Sequence, residues 1–177
     1  TSFTHHPFYL PFVLEIPDNW MWSPSYNLPM EEMMAALDEA LNNGFSVGWA
    51  ADVSEKGFSV RNGIAVIPQK MWGDLSTEEQ KLILTGPHDE RIITQEARQI
   101  EFDNYATQDD HSMQFTGIVR DQTGAIYYTV KNSWGEINNP FEIGYVYASS
   151  SYVQLKTIAL LMHKDALSKS LKKRLQL

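Results

Sequence analysis

The sequence predicts an α+β protein, because helical and strand-like patterns occupy different parts of the chain. Before about position 110, apolar residues recur at helical spacing around one buried strand-like run. From His111 onward, runs rich in β-branched and aromatic residues follow one another with short turns between them. Strands that succeed each other directly favour antiparallel pairing, since parallel strands need long crossover connections.

The first elements are an irregular segment and a helix. Thr1–Pro29 contains five prolines and many aromatic residues, which indicates an extended segment lying across a surface. Met30–Asn42 is predicted to be a helix, with Pro29 in the position that favours a first turn and Gly44 at the exit. Its apolar residues with helical spacing are Met30, Met33, Met34, Leu37 and Leu41.

The middle of the chain continues with one strand and two helices. Phe45–Asp52 is predicted to be a largely buried strand, and Glu55–Pro68 a loop followed by a short strand. Ser76 and Glu79 have the spacing of a capping box, which predicts a short helix that begins there. Thr94–Tyr105 is predicted to form the next helix.

The last third is predicted to be mainly β-structure. Ser112–Val119 and Ala125–Asn132 flank a turn at Asp121–Gly124, so the pattern predicts a hairpin. Three further elements are predicted, namely strands over Phe141–Ala148 and Leu155–His163 and a terminal helix over Ala166–Leu175.

Composition excludes several classes of function. Hydrophobic residues make up 43% and charged residues 20% of the 177 residues, which is typical of a globular domain. The net charge of −8 argues against a nucleic-acid partner, because phosphate binding needs a basic surface. No apolar run approaches the roughly 18 residues that would indicate a membrane span. The chain has no cysteine, so it contains neither disulfides nor a thiol nucleophile.

Two motifs carry the chemistry that the sequence suggests. Asp109–Met113 contains His111, and Lys131–Gly135 contains Asn132, which follows His111 by 21 positions. Antiparallel pairing of the predicted hairpin brings the two motifs side by side. The Asn carbonyl then accepts from a ring N–H of the histidine and fixes the tautomer, and Trp134 shields this bond from water.

Each motif taken alone has an ordinary structural explanation. A single histidine near a strand is more often structural, and a lone NSWG is more often a turn. Their joint occurrence on one predicted hairpin makes those explanations poor. His5 and His6 are neighbours on an extended segment and face opposite sides, so neither a metal site nor a cofactor is predicted. The chain also lacks the G-x-S-x-G motif of serine hydrolases.

The DHSM and KNSWG motifs resemble the catalytic His and Asn motifs of papain-like (C1 family) cysteine peptidases. The helix–strand unit LPMEEMMAALDEALNNGFSVGWAADVSEKGF is similar to the bleomycin hydrolase/aminopeptidase C type within that family. The resemblance extends over nearly the whole chain. It implies the β-rich half of a papain-like fold, an antiparallel, barrel-like sheet with flanking helices.

The resemblance also implies roles for individual residues. His111 corresponds to the general base that pairs with a cysteine thiolate, and Asn132 to the residue that orients it. Asp110 corresponds to the acidic residue before the family histidine and tunes the local field. The pocket for the second substrate residue is implied to be lined by Ser112 and by the strand near Trp49 and Ala50.

The family nucleophile is expected to lie outside this chain. In papain-like enzymes the cysteine precedes the histidine by roughly 130 residues, and counting back that far from His111 passes beyond Thr1. The chain starts abruptly, without an initiator Met or a signal peptide. Residues 1–177 are therefore expected to be a single region, the C-terminal part that bears His and Asn. The cysteine and the oxyanion-hole glutamine would lie on the remainder.

The function implied is hydrolysis of peptides as an aminopeptidase through a thioester acyl-enzyme, with this chain inactive alone. The expected partners are a peptide substrate and the Cys-bearing remainder, and the family resemblance adds a homo-hexamer. Family members are commonly cytoplasmic, and an exported form stays open. A non-catalytic peptide-binding or assembly domain derived from such a peptidase is the alternative, and an unrelated β-rich binding domain is the third hypothesis.

Overall fold

A computed structural model describes residues 1–135 and 137–177 of the chain, which contain nine strands and five α-helices. The strands are β1 (Pro11–Val13), β2 (Pro24–Tyr26), β3 (Val47–Ala51), β4 (Phe58–Ser59), β5 (Ile64–Ala65), β6 (His111–Arg120), β7 (Ile126–Lys131), β8 (Tyr145–Ser149) and β9 (Thr157–Leu161). The α-helices are α1 (Met30–Asn42), α2 (Thr77–Ile83), α3 (Gln95–Asp103), α4 (Ser150–Lys156) and α5 (Lys169–Leu175).

Seven of these strands form one sheet that curls into a half-barrel flanked by helices. Their order is β4-β5-β8-β7-β6-β3-β9. The predicted α+β class and barrel-like sheet are therefore confirmed. The pairing differs from the expectation at one place, because β5 and β8 run parallel while the other neighbours are antiparallel.

The main core lies between α1 and the inner face of the sheet. Met33 and Leu37 of α1 are 2% and 0% exposed, and they belong to the same buried cluster as Trp49, Phe115 and Tyr128. Because buried residues alternate with more exposed ones along β3 and the first half of β6, one face of each strand joins this core. The core thus holds β3 and β6 together at the end where β6 begins, at His111.

Several elements lie where the sequence predicts them. Helix α1 spans Met30–Asn42, and Ser76 and Glu79 form a capping box in which each side chain binds the other's backbone N–H. Helix α3 begins after Thr94, whose hydroxyl accepts from a backbone N–H in the first turn. The predicted β6–β7 hairpin is present and turns at Asp121–Gly124.

Thr1–Pro29 is more regular than predicted. Its strands β1 and β2 pair antiparallel, from Pro11 opposite Tyr26 to Val13 opposite Pro24. Prolines conceal this pairing in the sequence, because they weaken the strand pattern while remaining acceptable at sheet edges.

The predicted strand Phe141–Ala148 begins only at Tyr145. Its first residues form a turn, because the side chain of Asn139 accepts from the backbone N–H groups of Phe141 and Glu142. Gly144 then adopts a positive φ of 79°, which favours glycine.

The prediction of a strand over Leu155–His163 is wrong at its start. Leu155 belongs to α4, whose N-cap Ser149 accepts from the N–H of Tyr152. Buried residues cover too much of α4 for an amphipathic stripe to reveal it. The terminal helix, predicted from Ala166, begins at Lys169 with Ser168 as its cap. No helix within the described residues is long and apolar enough to cross a membrane.

Candidate active site

The hairpin brings His111 and Asn132 into contact. His111 is the first residue of β6, and Asn132 directly follows the last residue of β7. The imidazole Nε2 lies 2.9 Å from the side-chain Oδ1 of Asn132. Asn132 is only 8% exposed, and its backbone N–H donates to the carbonyl of Gly144, so its position is fixed by the sheet.

The surroundings of Asn132 determine which tautomer His111 adopts when neutral. The backbone N–H of Ser133 points at the same Oδ1 atom at 2.7 Å. Because a backbone N–H can only donate, this atom is the carbonyl oxygen of the amide. The Nε2 of His111 must therefore carry the hydrogen, and Nδ1 is left with a free lone pair. The ring is thus oriented with its proton-accepting nitrogen away from Asn132.

The indole of Trp134 packs against the imidazole of His111. Its ring centroid lies 4.4 Å from that of the imidazole, with the planes at 34°. Phe58 contacts the indole edge-on, with ring centroids 6.0 Å apart. Trp134 is 45% exposed, so part of the indole faces solvent beside the imidazole.

The sequence profile of the Peptidase C1-like family matches residues 5–177. The chain belongs to this family. The resemblance to papain-like cysteine peptidases that the DHSM and KNSWG motifs suggest is therefore confirmed. A search of curated proteins found no match to this Peptidase C1-like chain.

Solved structures that match the chain include one, PepW, that shares its fold. The crystal structure of PepW from Lactobacillus rhamnosis superposes with a TM-score of 0.67 at 20% identity, covering 98% of this chain and 36% of PepW. The bromelain protease from Ananas comosus, solved with the E64 inhibitor, gives 0.37 at 18% identity, covering 75% of this chain and 45% of bromelain. The ragweed Amb a 11 cysteine protease gives 0.35 at 16%, covering 66% and 26%. The chain thus spans about a third of the length of PepW.

The three residues implied to line a substrate pocket lie on different faces of the sheet. Ala50 and Ser112 are register partners in β3 and β6, so their side chains share one face. Trp49 faces the opposite side, where it is 1% exposed and its indole N–H donates to the hydroxyl of Thr157 at 2.8 Å. A substrate does not reach the Trp49 side chain there, because the ring is stacked 4.5 Å from Phe115 inside the core.

The carboxylate of Asp110 binds backbone rather than His111. Its two oxygens accept from the N–H groups of Val53 and Ser54 at 2.9 and 3.2 Å. Its own N–H donates to the carbonyl of Ala51 at 3.3 Å. Asp110 thus ties the start of β6 to the loop after β3. Asp52, which the sequence reasoning missed, takes part in the same connection, and its position directly after a buried strand was the available signal.

Asp109, two residues before His111, has a carboxyl whose pKa is raised. Burial raises the pKa of its carboxyl to about 6, with further contributions from the charges of Asp18 and Asp110. The folded pKa thus exceeds the unfolded value of about 3.9, so the folded chain binds this proton more tightly. Its charging therefore lowers the free energy of unfolding as the pH rises from about 4 to about 6.

Replacing Asp109 with asparagine removes the decrease in the free energy of unfolding that ionisation of this carboxyl causes. We expect Asp109→Asn to match the parent protein near pH 4 and to be more stable by about 1 kcal/mol at pH 7, a value discounted for partial exposure. Urea unfolding at both pH values measures the difference. Asp121→Asn is the control of opposite sign, since hydrogen bonds from Thr123 lower the pKa of that carboxyl. An Asp109→Asn gain that is equal at pH 4 and pH 7 would contradict the assignment.

Proposed function

We propose that this chain supplies the acid–base half of a cysteine peptidase of the bleomycin hydrolase/aminopeptidase C type. The observation that carries the proposal is the 2.9 Å contact between His111 Nε2 and Asn132 Oδ1 beside Trp134. It leaves Nδ1 as the only ring nitrogen able to exchange a proton with a nucleophile. Since residues 1–177 contain no cysteine, the proposal places the thiolate and the oxyanion-hole glutamine on the rest of the enzyme.

In the proposed reaction, the cysteine loses its proton to Nδ1 of His111, which gives a thiolate and imidazolium pair. The thiolate sulfur forms a bond to the scissile carbonyl carbon. Nδ1–H then protonates the amine nitrogen as the C–N bond breaks, leaving a thioester and neutral imidazole. Nδ1 next takes a proton from water, whose oxygen attacks the thioester. The C–S bond then breaks, the carboxylic acid leaves, and the proton on Nδ1 returns to the thiolate sulfur.

Asn132 contributes orientation throughout this cycle. Its carbonyl oxygen accepts from Nε2–H in both the neutral and the charged ring, so the imidazole need not turn between the acylation and deacylation steps. Trp134 limits the competition of water for this bond. The buried position of Asn132 and the edge-on packing of Phe58 support the proposal, because both restrict the geometry before substrate binds.

The substrate is proposed to lie along the face that carries Ser112 and Ala50. Ser112 is exposed and Ala50 half-buried, which supports a shallow apolar pocket with one hydroxyl at its edge. Trp49 is left out of this pocket because its ring lies in the core. Cleavage from the N-terminus, a hexameric assembly and a cytoplasmic location are proposed on the family resemblance alone.

Labelling tests the proposal against a non-catalytic binding domain. Purified native material that contains this chain is treated at pH 6 with a biotinylated peptidyl chloromethyl ketone. A thiol paired with imidazolium is ionised at this pH, whereas an ordinary thiol with a pKa of about 8.5 is almost entirely protonated. We expect a single co-purifying, cysteine-bearing polypeptide to be labelled at least about 10-fold faster than a free cysteine peptide.

The labelling experiment also has outcomes that would contradict the proposed function. A binding or assembly domain would co-purify with no polypeptide labelled above the rate of the free cysteine peptide at pH 6. Preincubation with a peptide substrate must also slow the labelling, since substrate and inhibitor compete for one cleft. Labelling that is indifferent to substrate would place the reactive thiol elsewhere and contradict the proposal.

A further inference from the structure

Asp52 is fixed to α4 through both of its backbone polar groups. Its N–H donates to the carbonyl of Lys156 at 3.1 Å, and its carbonyl accepts from the hydroxyl of Tyr152 at 2.9 Å. Tyr152 is fully buried, and Asp52 is 5% exposed. The residue that follows β3 is therefore attached to a core helix and has little freedom to move.

The carboxylate of Asp52 reaches from this fixed point to the segment before His111. Its Oδ2 accepts from the backbone N–H of Gln108 at 3.0 Å, and its Oδ1 accepts from Ser54 N–H at 3.0 Å. Gln108 lies three residues before His111, in a segment without regular secondary structure. The hydrogen bond to Asp52 thus restrains a stretch of chain that no strand or helix holds.

Asp110 makes the reciprocal connection. Its carboxylate accepts from Val53 and Ser54, which follow Asp52, while Asp52 accepts from Gln108, which precedes Asp110. We call these two carboxylates and their three N–H partners the carboxylate clamp. The clamp joins the two chain segments that extend beyond the register pair Ala51 and His111, at the end of the β3–β6 ladder.

The buried ammonium group of Lys156 lies near the carboxylate clamp. Lys156 is 2% exposed, and its Nζ lies 3.0 Å from a carboxylate oxygen of Glu101 and contacts Glu55. Burial holds the pKa of the Asp52 carboxyl above its usual value, and the hydrogen bond from Gln108 and the charge of Lys156 only partly oppose this. The same lysine thus attracts the carboxylate of Asp52 and binds the helix α3 that precedes His111.

We infer that Asp52 is a positioning residue for His111, acting through Gln108 and together with Asp110. The geometry supports this role because the three peptide units between Gln108 and His111 have Asp52 and Asp110 as their anchors. Loss of the anchor lets the start of β6 shift, and a shift of about 1 Å at a reacting group lowers turnover about 100-fold. The effect on turnover rests on the proposed function, whereas the effect on the ring of His111 does not.

The test compares Asp52→Ala and Asp52→Asn in the complete enzyme, meaning this chain with the polypeptide that carries the cysteine. Asp52→Ala is expected to lower kcat for a peptide substrate about 10- to 100-fold, with KM changed less than about 2-fold. Asp52→Asn keeps one hydrogen-bond acceptor, so its kcat should fall less than that of Asp52→Ala. Asp121→Ala is the matched control, because that carboxylate also accepts from backbone N–H groups but in the turn at the far end of β6.

Nitrogen NMR of ¹⁵N-labelled histidine provides a readout that does not depend on turnover. The parent protein and Asp121→Ala should show a hydrogen on Nε2 of His111 that exchanges slowly with water, whether or not Nδ1 is also protonated by the cysteine. Asp52→Ala should show faster exchange of the Nε2 hydrogen. If circular dichroism shows that Asp52→Ala does not fold, kcat and the NMR signals are measured on Asp52→Asn instead.

The outcomes separate this inference from the proposed function. Wild-type ring signals and kcat in both Asp52 variants would overturn the inference, as would lowered kcat with an unchanged ring. If the NMR signals of the His111 ring change in the Asp52 variants but turnover does not depend on His111, the positioning role would be supported. The proposed function would then be contradicted instead.

Discussion

Replacing His111 with alanine in the complete enzyme will lower kcat for peptide hydrolysis by at least about 10⁴-fold. The reason is that Nδ1 is the proton donor and acceptor of both chemical steps in the proposed mechanism, while Nε2 is held by Asn132. Substrate binding uses other groups, so KM should change little. Steady-state kinetics with a fluorogenic peptide measure both constants, and circular dichroism confirms that the variant is folded.

Two further variants make the expectation for His111 specific. Asn132→Ala keeps the proton-transferring ring but frees its orientation, so kcat should fall about 10- to 100-fold. His163→Ala removes a histidine whose side chain is 63% exposed and should leave kcat unchanged. An active His111→Ala enzyme, or an Asn132→Ala enzyme with parental kcat, would contradict the proposed roles.

Replacing Arg98 with methionine will lower the free energy of unfolding by about 4 kcal/mol. Arg98 is fully buried, and its guanidinium donates to backbone carbonyls rather than to a carboxylate. Nε binds Ser2 at 2.8 Å and Nη1 binds Gln154 at 2.9 Å, while Nη2 binds Thr157. Methionine fills similar space but leaves these carbonyls buried without donors, which is the costly case.

Urea unfolding of the chain gives the measurement, read as a shift of the midpoint at constant slope. Arg120→Met is the control, because that exposed guanidinium makes one hydrogen bond, to the carbonyl of Gly124 within its own hairpin. Arg120→Met should lower the free energy of unfolding by no more than about 0.5 kcal/mol. A change below about 1 kcal/mol for Arg98→Met would show that the buried carbonyls find other donors, and the proposed contribution of Arg98 would be wrong.

Arg98 also explains how the N-terminal segment is held. Its guanidinium lies 4.7 Å from the ring centroid of Phe3 and binds the carbonyl of Ser2. The same group reaches α4 and the start of β9 through its other nitrogens. The N-terminal segment, α3 and the junction of α4 with β9, which are far apart in sequence, therefore meet at one side chain. The sequence shows only that Arg98 is a charged residue on a predicted helix. Such side chains are mostly exposed to solvent, so the sequence does not predict its burial.

The sequence by itself determined the elements that depend on local patterns. The apolar spacing of Met30–Asn42 fixes helix α1 to the residue, and the turn residues Asp121–Gly124 fix the hairpin. Because a hairpin pairs residues that are near in sequence, the meeting of His111 and Asn132 followed from two motifs and a turn. The family assignment depended on the same two motifs.

Only the tertiary structure decided which face each residue occupies and what holds the site in place. Trp49 and Ala50 face opposite sides because side chains alternate along a strand, but only the packing of α1 against one face decides that Trp49 joins the core while Ala50 lies beside Ser112. Asp52 binds Gln108 across 56 positions. Such contacts arise from the packing of whole elements, and no periodicity or local turn signal encodes them. The contact between His111 and Asn132 could therefore be predicted from the sequence, whereas the carboxylate clamp beside it could not.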